Sequence, residues 1–390
     1  MISKLMVCRL FLSLTILSLT PTFAMEPLQI HYINTGQGGS TLIIGPDGTS
    51  VLYDFGVKFG DIALVLYLHS ALSGKKQIDY AILSHRHKDH YYGYKDMIDA
   101  NINVRVANFE PDGPELDSSL INRNWYEPAS KTLAGKVRTI PVGLVVSLGD
   151  GATMHVIAAN GRLLDGTQVD VNDENDRSIV LFINYKNFQY LIDGDLGGGT
   201  ERCSGHETTQ VDVQTFVAKT LLNEKLITAE NGLDAMHIAH HGSESSTPLR
   251  YVSLVKPEVG IVSVGNPNCK YRHPRRDVLS PLIEDVPKVT SLSGSSLSQC
   301  PRINRFKALY QTDLGSESCN TMPTGKETLN AGFVSGDIVL TTDGIKALKV
   351  STSGNLFFDG TLSRLGPQCE TTYCLDEYNP TGDSDAKTCI

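Results

Sequence analysis

The sequence contains no pair of cysteines in the Cys-x-x-Cys spacing that many structural zinc sites use. The first of its eight cysteines is Cys8, and the other seven all lie beyond residue 200. A metal site built from cysteines is therefore not expected. Because disulfides are also excluded from the first half of the mature chain, the hydrophobic core alone must hold that half together.

Beyond the N-terminal segment, the sequence has no apolar run of the roughly 20 residues needed to span a membrane. Lys4 and Arg9 accompany a short apolar run, and a small-residue site follows it at Ala24. This pattern is typical of a secretory signal peptide, here residues 1–24. We expect cleavage after Ala24 and a soluble mature protein that is secreted or periplasmic.

Positive charge is scarce, with 34 Lys and Arg against 43 Asp and Glu and a formal net charge of −9. Loss of Lys4 and Arg9 with the signal peptide makes it −11, because −9 minus 2 is −11. Avid non-specific binding of nucleic acid depends on Lys and Arg, so this balance argues against it. It does not exclude a nucleic acid that is brought to a metal ion as a substrate.

Short strands interrupted by helices run along most of the chain, which predicts a layered α/β protein with its sheets inside. We expect one domain over residues 25–360, with exposed insertions near 291–305 and 314–332. Residues 361–390 are polar and contain cysteines, and we expect them to form a C-terminal tail.

The stretch "SHRHKDHYYG" contains His85, His87, Asp89 and His90. It follows an apolar strand, and side chains on an extended segment alternate between its two sides. His85 and His87 can therefore face one metal ion. Asp89 and His90 fall where a helix begins, so they can face a second one. Imidazole and carboxylate ligands suit zinc, with manganese or iron as alternatives; a solvated polar loop is the alternative reading.

Two later strands also end in potential ligands. "FQYLIDGDLGGG" places Asp193 and Asp195 after an apolar strand, and "LDAMHIAHHGS" places His240 and His241 after another. Loops on a rigid scaffold are a common place for functional residues. One of the two carboxylates is therefore a candidate bridge between the metal ions.

These segments resemble the metallo-β-lactamase fold, whose signature is HxHxDH. The similarity is strongest to the branch that contains the ComEC-like hydrolase domain of DNA-uptake channels and the phosphorylcholine esterases. That branch is recognised in "NTGQGGS", "HHGS" and "SVGNPNCKYRHP". The resemblance covers roughly residues 27–290. It implies a four-layer αββα fold, a β-sandwich flanked by helices, and a metal-dependent hydrolase.

The resemblance also implies two divalent metal ions, Zn²⁺ or alternatively Mn²⁺. The ligands implied are His85 and His87 for the first ion, Asp89 and His90 for the second, Asp195 as the bridge, and His240 or its neighbour His241 as the last ligand of the second ion. Asp89 and Asp195 would also serve catalysis, and His273 would lie at the rim, where it contacts the leaving group.

The sequence departs from the branch at several positions. Asn34 stands where the branch has an opening aspartate, which predicts altered substrate contacts. The histidine that many members supply to the first metal ion is missing before Asp195. Asn175 or Asp176, a water molecule, or His155 on a neighbouring strand are the alternatives for that position.

The function predicted from this resemblance is a phosphodiesterase in which a metal-bridging hydroxide attacks phosphorus. Nucleic acid, a phosphorylcholine-type ester and an envelope polymer all remain as substrates. The alternatives are a lactonase or β-lactamase, and a metal-binding interaction module with little turnover. Tyr91, Trp125 and Tyr126 are either core residues or a wall that stacks on the substrate.

The cysteines suggest one disulfide at the mouth of the site and a second candidate pair beside the last strands. Cys203 follows the bridging aspartate and Cys269 precedes the rim histidine, so we expect these two to pair. Cys300 and Cys319 form a second candidate pair. An odd number of mature cysteines leaves at least one free or paired between chains.

Overall fold

The structure is a computed structural model. The residues it describes are 26–57, 61–114, 118–201, 208–265, 273–279, 282, 306–315, 328–329, 332–358, 361–364, 368 and 370–375. The predicted signal peptide, the insertion near 291–305, most of the insertion near 314–332 and both predicted cysteine pairs lie outside these residues.

Most strands belong to two large sheets. In chain order the strands are β1 (Leu28–Tyr32), β2 (Thr41–Ile44), β3 (Ser50–Tyr53), β4 (Gln77–Ile82), β5 (Asn103–Glu110), β6 (Arg138–Thr139), β7 (Val145–Gly149), β8 (Ala152–Ala159), β9 (Arg162–Leu163), β10 (Val180–Tyr185), β11 (Phe188–Ile192), β12 (Ala235–His237), β13 (Val259–Val262), β14 (Ala308–Gln311), β15 (Thr328–Leu329), β16 (Gly332–Phe333), β17 (Ile338–Thr342), β18 (Ala347–Thr352), β19 (Asn355–Phe358), β20 (Thr361–Arg364) and β21 (Glu370–Cys374).

The helices are mostly short. They are α1 (Asp61–Ala71), α2 (Lys88–Tyr91), α3 (Gly93–Asp99), α4 (Ser119–Ile121), α5 (Glu127–Ser130), α6 (Gln214–Asn223), α7 (Leu249–Val255) and α8 (Arg276–Leu279). None of the helices in the described ranges is long and apolar enough to cross a membrane.

The strand order places several carboxyl ends at one edge. The first sheet has the order β21-β18-β17-β1-β2-β3-β4-β5-β6, and the second has β14-β13-β12-β11-β10-β8-β7. Strands β3, β4 and β5 run parallel in the first sheet, and β11 to β14 run parallel in the second. Parallel strands end at the same edge of a sheet, which is where ligands commonly bind in α/β proteins. The loops after β3, β4, β11, β12 and β13 are therefore neighbours.

Three apolar clusters define four layers. Ile30 and Ile183 belong to the cluster between the sheets. Leu68 of α1 lies in a cluster on the outer face of the first sheet, and Val217 of α6 and Val252 of α7 lie in one on the outer face of the second. Full burial of each such side chain contributes about 1.5–3 kcal/mol. The arrangement is the αββα fold that the sequence predicted.

Part of the predicted C-terminal tail belongs to the first sheet. Strand β21 pairs antiparallel with β18 at the sheet edge. Tyr373 is 8 % exposed, packs in the cluster between the sheets, and shares a 2.6 Å hydrogen bond with the hydroxyl of Tyr310. Cys374 is disulfide-bonded. The five residues "ETTYC" are too few and too polar for their sequence alone to predict a strand.

Two of the aromatic residues proposed as a substrate wall are core residues. Trp125 is completely buried, stacks on Phe55 with ring centroids 5.3 Å apart, and donates its indole N–H to Glu110. Tyr91 is 4 % exposed and packs in the same outer cluster of the first sheet. A buried ring cannot stack on a substrate, so the substrate-wall interpretation is wrong for these two residues.

Candidate metal centre

The loop after β4 presents the histidine motif. Strand β4 ends at Ile82, and α2 begins at Lys88, directly after His87. His85 is completely buried and His90 is 1 % exposed, whereas His87 is exposed. Burial therefore divides the motif differently from the predicted pairs, because His85 and His90 lie on the buried side of the site and His87 lies on its open side.

Of the two aspartates after β11, Asp195 faces the histidines. Gly194 between them has φ +54, and a Cβ there would lie 2.9 Å from the Cβ of Ser84. The absence of a side chain lets the two loops approach closely. Asp193 points elsewhere and accepts a 2.7 Å hydrogen bond from Nε2 of Gln214.

Four imidazoles converge on one oxygen of Asp195. The Nε2 atoms of His90, His240, His241 and His85 lie 3.3, 3.6, 3.7 and 3.8 Å from Oδ2 of Asp195. Nδ1 of His87 lies 3.0 Å from Nε2 of His85. Carboxylate and imidazole groups that share one small volume are the ligand types of transition-metal sites.

The polar atoms at this point have no protein partner. Nε2 of His90, Nε2 of His241 and Oδ1 of Asp195 are buried without a hydrogen bond among the described residues. Such atoms are costly unless something else satisfies them. Two overlapping groups, His85–His90–Asp195 and Asp89–His90–His241, have ligand atoms within 4.8 Å of one another. The residues therefore fit divalent metal binding.

Partners on the outer side hold two of the histidines. Oδ2 of Asp54 lies 2.7 Å from Nδ1 of His90, and the same oxygen accepts a 2.7 Å hydrogen bond from the hydroxyl of Ser84. That hydroxyl also lies 2.9 Å from Nδ1 of His85. A carboxylate behind a ligating histidine fixes the ring and its tautomer. Sequence reasoning missed Asp54, although it directly follows strand β3 as the other site residues follow theirs.

Charge and burial favour the metal-binding forms of Asp195 and His85, whereas despite burial the carboxylates of Asp195 and Asp54 raise the pKa of His90 well above the usual value of a histidine. Burial alone would raise the pKa of the Asp195 carboxyl, but His90, His240 and His241 hold it well below its usual range. Burial lowers the pKa of His85 well below the usual value of a histidine. An ionised carboxylate and neutral imidazoles are the ligating species.

The structure distinguishes the two adjacent histidines that the sequence left open. His241 belongs to the group with Asp89 and His90, and its Nδ1 donates a 2.7 Å hydrogen bond to the carbonyl of Ser263. His240 lies in neither of the two groups, although its Nε2 also faces Asp195. The ring centroid of His273 lies 5.4 Å from that of His240 and 6.2 Å from that of His241.

Two of the alternatives for the first ion have other hydrogen-bond partners. Asp176 accepts hydrogen bonds from Nε2 of Gln210 and from the backbone of Val211. His155 lies on β8, where its Nε2 is 3.0 Å from the hydroxyl of Thr153. Asn175 is 8 % exposed and has a buried carbonyl oxygen without a partner. Neither Asp176 nor His155 belongs to either group of ligand atoms.

Asn34 is a buried residue that connects distant segments of the chain. Its side chain is completely buried and donates to Asp313 at 3.0 Å and to the carbonyl of Asn355 at 2.9 Å. Its backbone N–H donates to Asp337 at 2.9 Å. Its amide ties the loop after β1 to the strands near the end of the chain, and the expectation that the altered loop changes substrate contacts stays a prediction.

Comparison with known proteins agrees with this geometry. The family model of the metallo-beta-lactamase superfamily matches residues 34–163, which include the histidine motif. Recombination protein 2 of Haemophilus influenzae is 24 % identical over 283 residues, or 72 % of this chain. The alignment covers 29 % of that relative, so this chain corresponds to a part of it.

Solved structures with low sequence identity also match. The metallo-beta-lactamase fold protein YhfI from Bacillus subtilis is 11 % identical, covers 60 % of this chain and 85 % of its own, and has a TM-score of 0.37. CmlA, a diiron beta-hydroxylase from Streptomyces venezuelae, is 14 % identical, covers 62 % of this chain and 45 % of its own, and has a TM-score of 0.35.

The family match and the site support each other. The matched segment contains His85, His87, Asp89 and His90, and the fold brings Asp195 to them from the second sheet. Over residues 34–163 the chain is similar to the metallo-beta-lactamase superfamily, and its two sheets have the layered arrangement expected of that fold.

Proposed function

We propose that the protein is a secreted metal-dependent phosphodiesterase, acting on nucleic acid or on a phosphorylcholine-type ester. The convergence of four imidazole nitrogens on Oδ2 of Asp195, with buried ligand atoms that lack protein partners, carries this proposal. Zn²⁺ is the proposed metal, with Mn²⁺ as the alternative, because the donors are imidazoles and carboxylates.

In the proposed arrangement His85 and His87 would hold one ion, Asp89, His90 and His241 would hold a second, and Asp195 would lie between them as a shared ligand. Bound ions of this kind polarise a phosphoryl oxygen and lower the pKa of water to about 7. Asp54 keeps Nδ1 of His90 engaged and so leaves its Nε2 directed at the centre. The protein thus supplies fixed ligands that need no rearrangement during the reaction.

The open side of the centre sets the direction of substrate approach. His87 is exposed, and the side chains of Asp89 and His240 are 24 % and 19 % exposed. The side chains of His85 and Asp195 are 0 % and 4 % exposed, so they close the opposite side. A phosphodiester would enter across the exposed face and place its leaving group near His273. Burial lowers the pKa of His273 well below the usual value, so this imidazole is neutral at pH 7.

The preference for phosphodiesters rests on the branch resemblance and on the name of the Haemophilus relative, Recombination protein 2. The preference for secretion rests on the N-terminal pattern of charge and apolar residues.

The test uses purified mature protein, residues 25–390, loaded with zinc or manganese. It is assayed with bis-p-nitrophenyl phosphate, single-stranded DNA, a phosphorylcholine ester and a cephalosporin, beside the Asp89→Ala variant. We expect phosphodiester hydrolysis that falls by orders of magnitude in Asp89→Ala. Hydrolysis of the cephalosporin alone would assign a β-lactamase. Activity that is equal in both proteins, or no turnover of any substrate by metal-loaded protein, would overturn the proposal.

A further inference from the structure

Gln210 lies in the segment after Asp195 and contacts the site, although it belongs to none of the ligand motifs. We propose that Asp176 and Gln210 form a positioning relay that presents His240 as a further imidazole ligand of the metal centre. This inference rests on the proposed function, since it concerns the same centre. Gln210 is 6 % exposed and lies between the carboxylate of Asp176 and the ring of His240.

The orientation of the Gln210 amide is fixed by two acceptors. Its Nε2 donates to Oδ1 of Asp176 at 3.2 Å and to the backbone carbonyl of Asp195 at 3.1 Å. Both partners are oxygens that accept and cannot donate, so a flipped amide would face them with its own oxygen. Asp176 is itself held, because its other oxygen accepts a 2.9 Å hydrogen bond from the backbone N–H of Val211. Oε1 of Gln210 must therefore face His240.

That oxygen sets the tautomer of His240. Nδ1 of His240 lies 3.2 Å from Oε1 of Gln210, and an amide oxygen only accepts hydrogen bonds. Nδ1 must then carry the proton, and Nε2 keeps its lone pair. The hydroxyl of Ser245, 2.9 Å from the same Nδ1, can accept from it as well. The lone pair of Nε2 points toward Oδ2 of Asp195, 3.6 Å away.

A different hydrogen-bond partner fixes the same tautomer in His241. Its Nδ1 donates to the carbonyl of Ser263, and its Nε2 is buried without a hydrogen-bond partner and lies 3.7 Å from Oδ2 of Asp195. Both adjacent histidines therefore offer a lone pair close to the carboxylate of Asp195, at 3.6 and 3.7 Å. The sequence left open which of the two is the ligand, whereas the hydrogen bonds at Nδ1 leave Nε2 of both rings able to bind metal. A second imidazole from this pair compensates for the histidine that the chain lacks before Asp195.

The experiment measures metal affinity in the full mature protein by competition with a chelator, using zinc and cobalt. Gln210→Met keeps the shape of the side chain and removes its hydrogen bonds, and His240→Ala removes the ligand. We expect Gln210→Met to weaken the affinity by about 10–100-fold, the usual effect of losing an outer partner of a ligating histidine. His240→Ala, which removes the ligand itself, should weaken the affinity at least as much. In the double variant, Gln210→Met should add little to His240→Ala, because the relay acts only through that ring. The visible spectrum of the cobalt protein should change alike in both single variants.

Gln214→Met is the matched control. Gln214 is a buried glutamine on the same segment that donates to Asp193 and accepts from the backbone N–H of Thr247, away from the ligand atoms. We expect its metal affinity to equal that of the wild type. A wild-type affinity in Gln210→Met, or a loss that adds fully to that of His240→Ala, would overturn the relay while the proposed function stands. A wild type that takes up no metal would overturn both.

A second measurement needs no variant. Long-range ¹H–¹⁵N correlation spectra of the metal-free protein report which nitrogen of each histidine is protonated. We expect His240 to be protonated at Nδ1 and not at Nε2. A proton at Nε2 of His240 would contradict the relay regardless of how the variants fold.

Discussion

At the scale of single residues, the centre depends on which of two similar side chains faces inward. Asp193 and Asp195 are two residues apart after the same strand, yet only Asp195 meets the imidazoles. Gly194 makes the difference, since its positive φ turns the chain between them. Charge repeated at a strand end predicted that an aspartate would bridge, and the backbone conformation decides which aspartate faces the imidazoles.

Replacing Asp195 should remove most of the metal. Asp195→Asn keeps the size of the side chain but withdraws the negative charge that faces four imidazoles, so we expect the affinity for zinc to fall at least tenfold. Asp193→Asn is the matched control, because it makes the same chemical change beside the centre. Chelator competition on both variants decides the point, and equal losses in the two would show a general effect of the substitution on folding.

Asp54 should matter although it is not expected to touch a metal ion. Asp54→Ala removes the acceptor at Nδ1 of His90, which releases the ring, so metal affinity or turnover should fall about 10–100-fold. Asp79 is a comparable buried aspartate whose partners are Ser50 and Arg105. If Asp79→Ala lowered the affinity as much as Asp54→Ala, the orienting role of Asp54 would be refuted. The sequence alone could not pair Asp54 with His90, since they are 36 residues apart and meet only once β3 and β4 are parallel neighbours.

At the scale of elements, the strand-end loops were predictable and the contacts between them were not. The apolar runs before His85, Asp195 and His240 predict buried strands, and the structure confirms them as β4, β11 and β12. The partners of these loops come from distant segments, as with Gln210 and Asp176, which are 34 residues apart. Hydrophobic periodicity carries no information about such pairs, which depend on the register of the sheets.

The loop after β1 allows a test of the contacts between distant segments. Asn34 donates to Asp313 and lies against Asp337, so Asn34→Asp would bring a third carboxylate to two buried ones. We expect the free energy of unfolding to fall by about 1–3 kcal/mol, the cost of leaving a buried polar group unsatisfied, or more because the new group is charged. Denaturant unfolding measures it.

The matched control is Asn187→Asp, since Asn187 donates to the carbonyl of Ile345 at an exposed position. We expect that variant to lie within about 0.5 kcal/mol of the wild type, as is usual for surface substitutions. A wild-type stability in Asn34→Asp would show that the buried amide is not needed to join these strands.

At the scale of the whole molecule, the centre joins the two sheets. His85 and His90 come from the loop after a strand of the first sheet, and Asp195 and His241 follow strands of the second. Ions that bind both sets stabilise the folded state over the unfolded chain. One ion at 100 times its dissociation constant would contribute about 2.7 kcal/mol.

Metal removal should therefore lower the melting temperature. A chelator should shift the wild type downward by several degrees, and added zinc should restore it, because binding to the native state raises stability. Asp195→Asn should show a smaller shift on chelation. Calorimetric scans of both proteins with and without chelator give the comparison, and identical shifts in the two would mean that the stabilising ion binds elsewhere.

The central claim is that this chain builds a dinuclear metal centre around Asp195. Elemental analysis of the gently purified mature protein, followed by titration with zinc or manganese, tests it most directly. The account predicts about two transition-metal ions per chain in the wild type, as in other two-metal hydrolytic sites, and a clear loss in Asp195→Asn. A wild type that is purified without metal and takes up neither zinc nor manganese would contradict it.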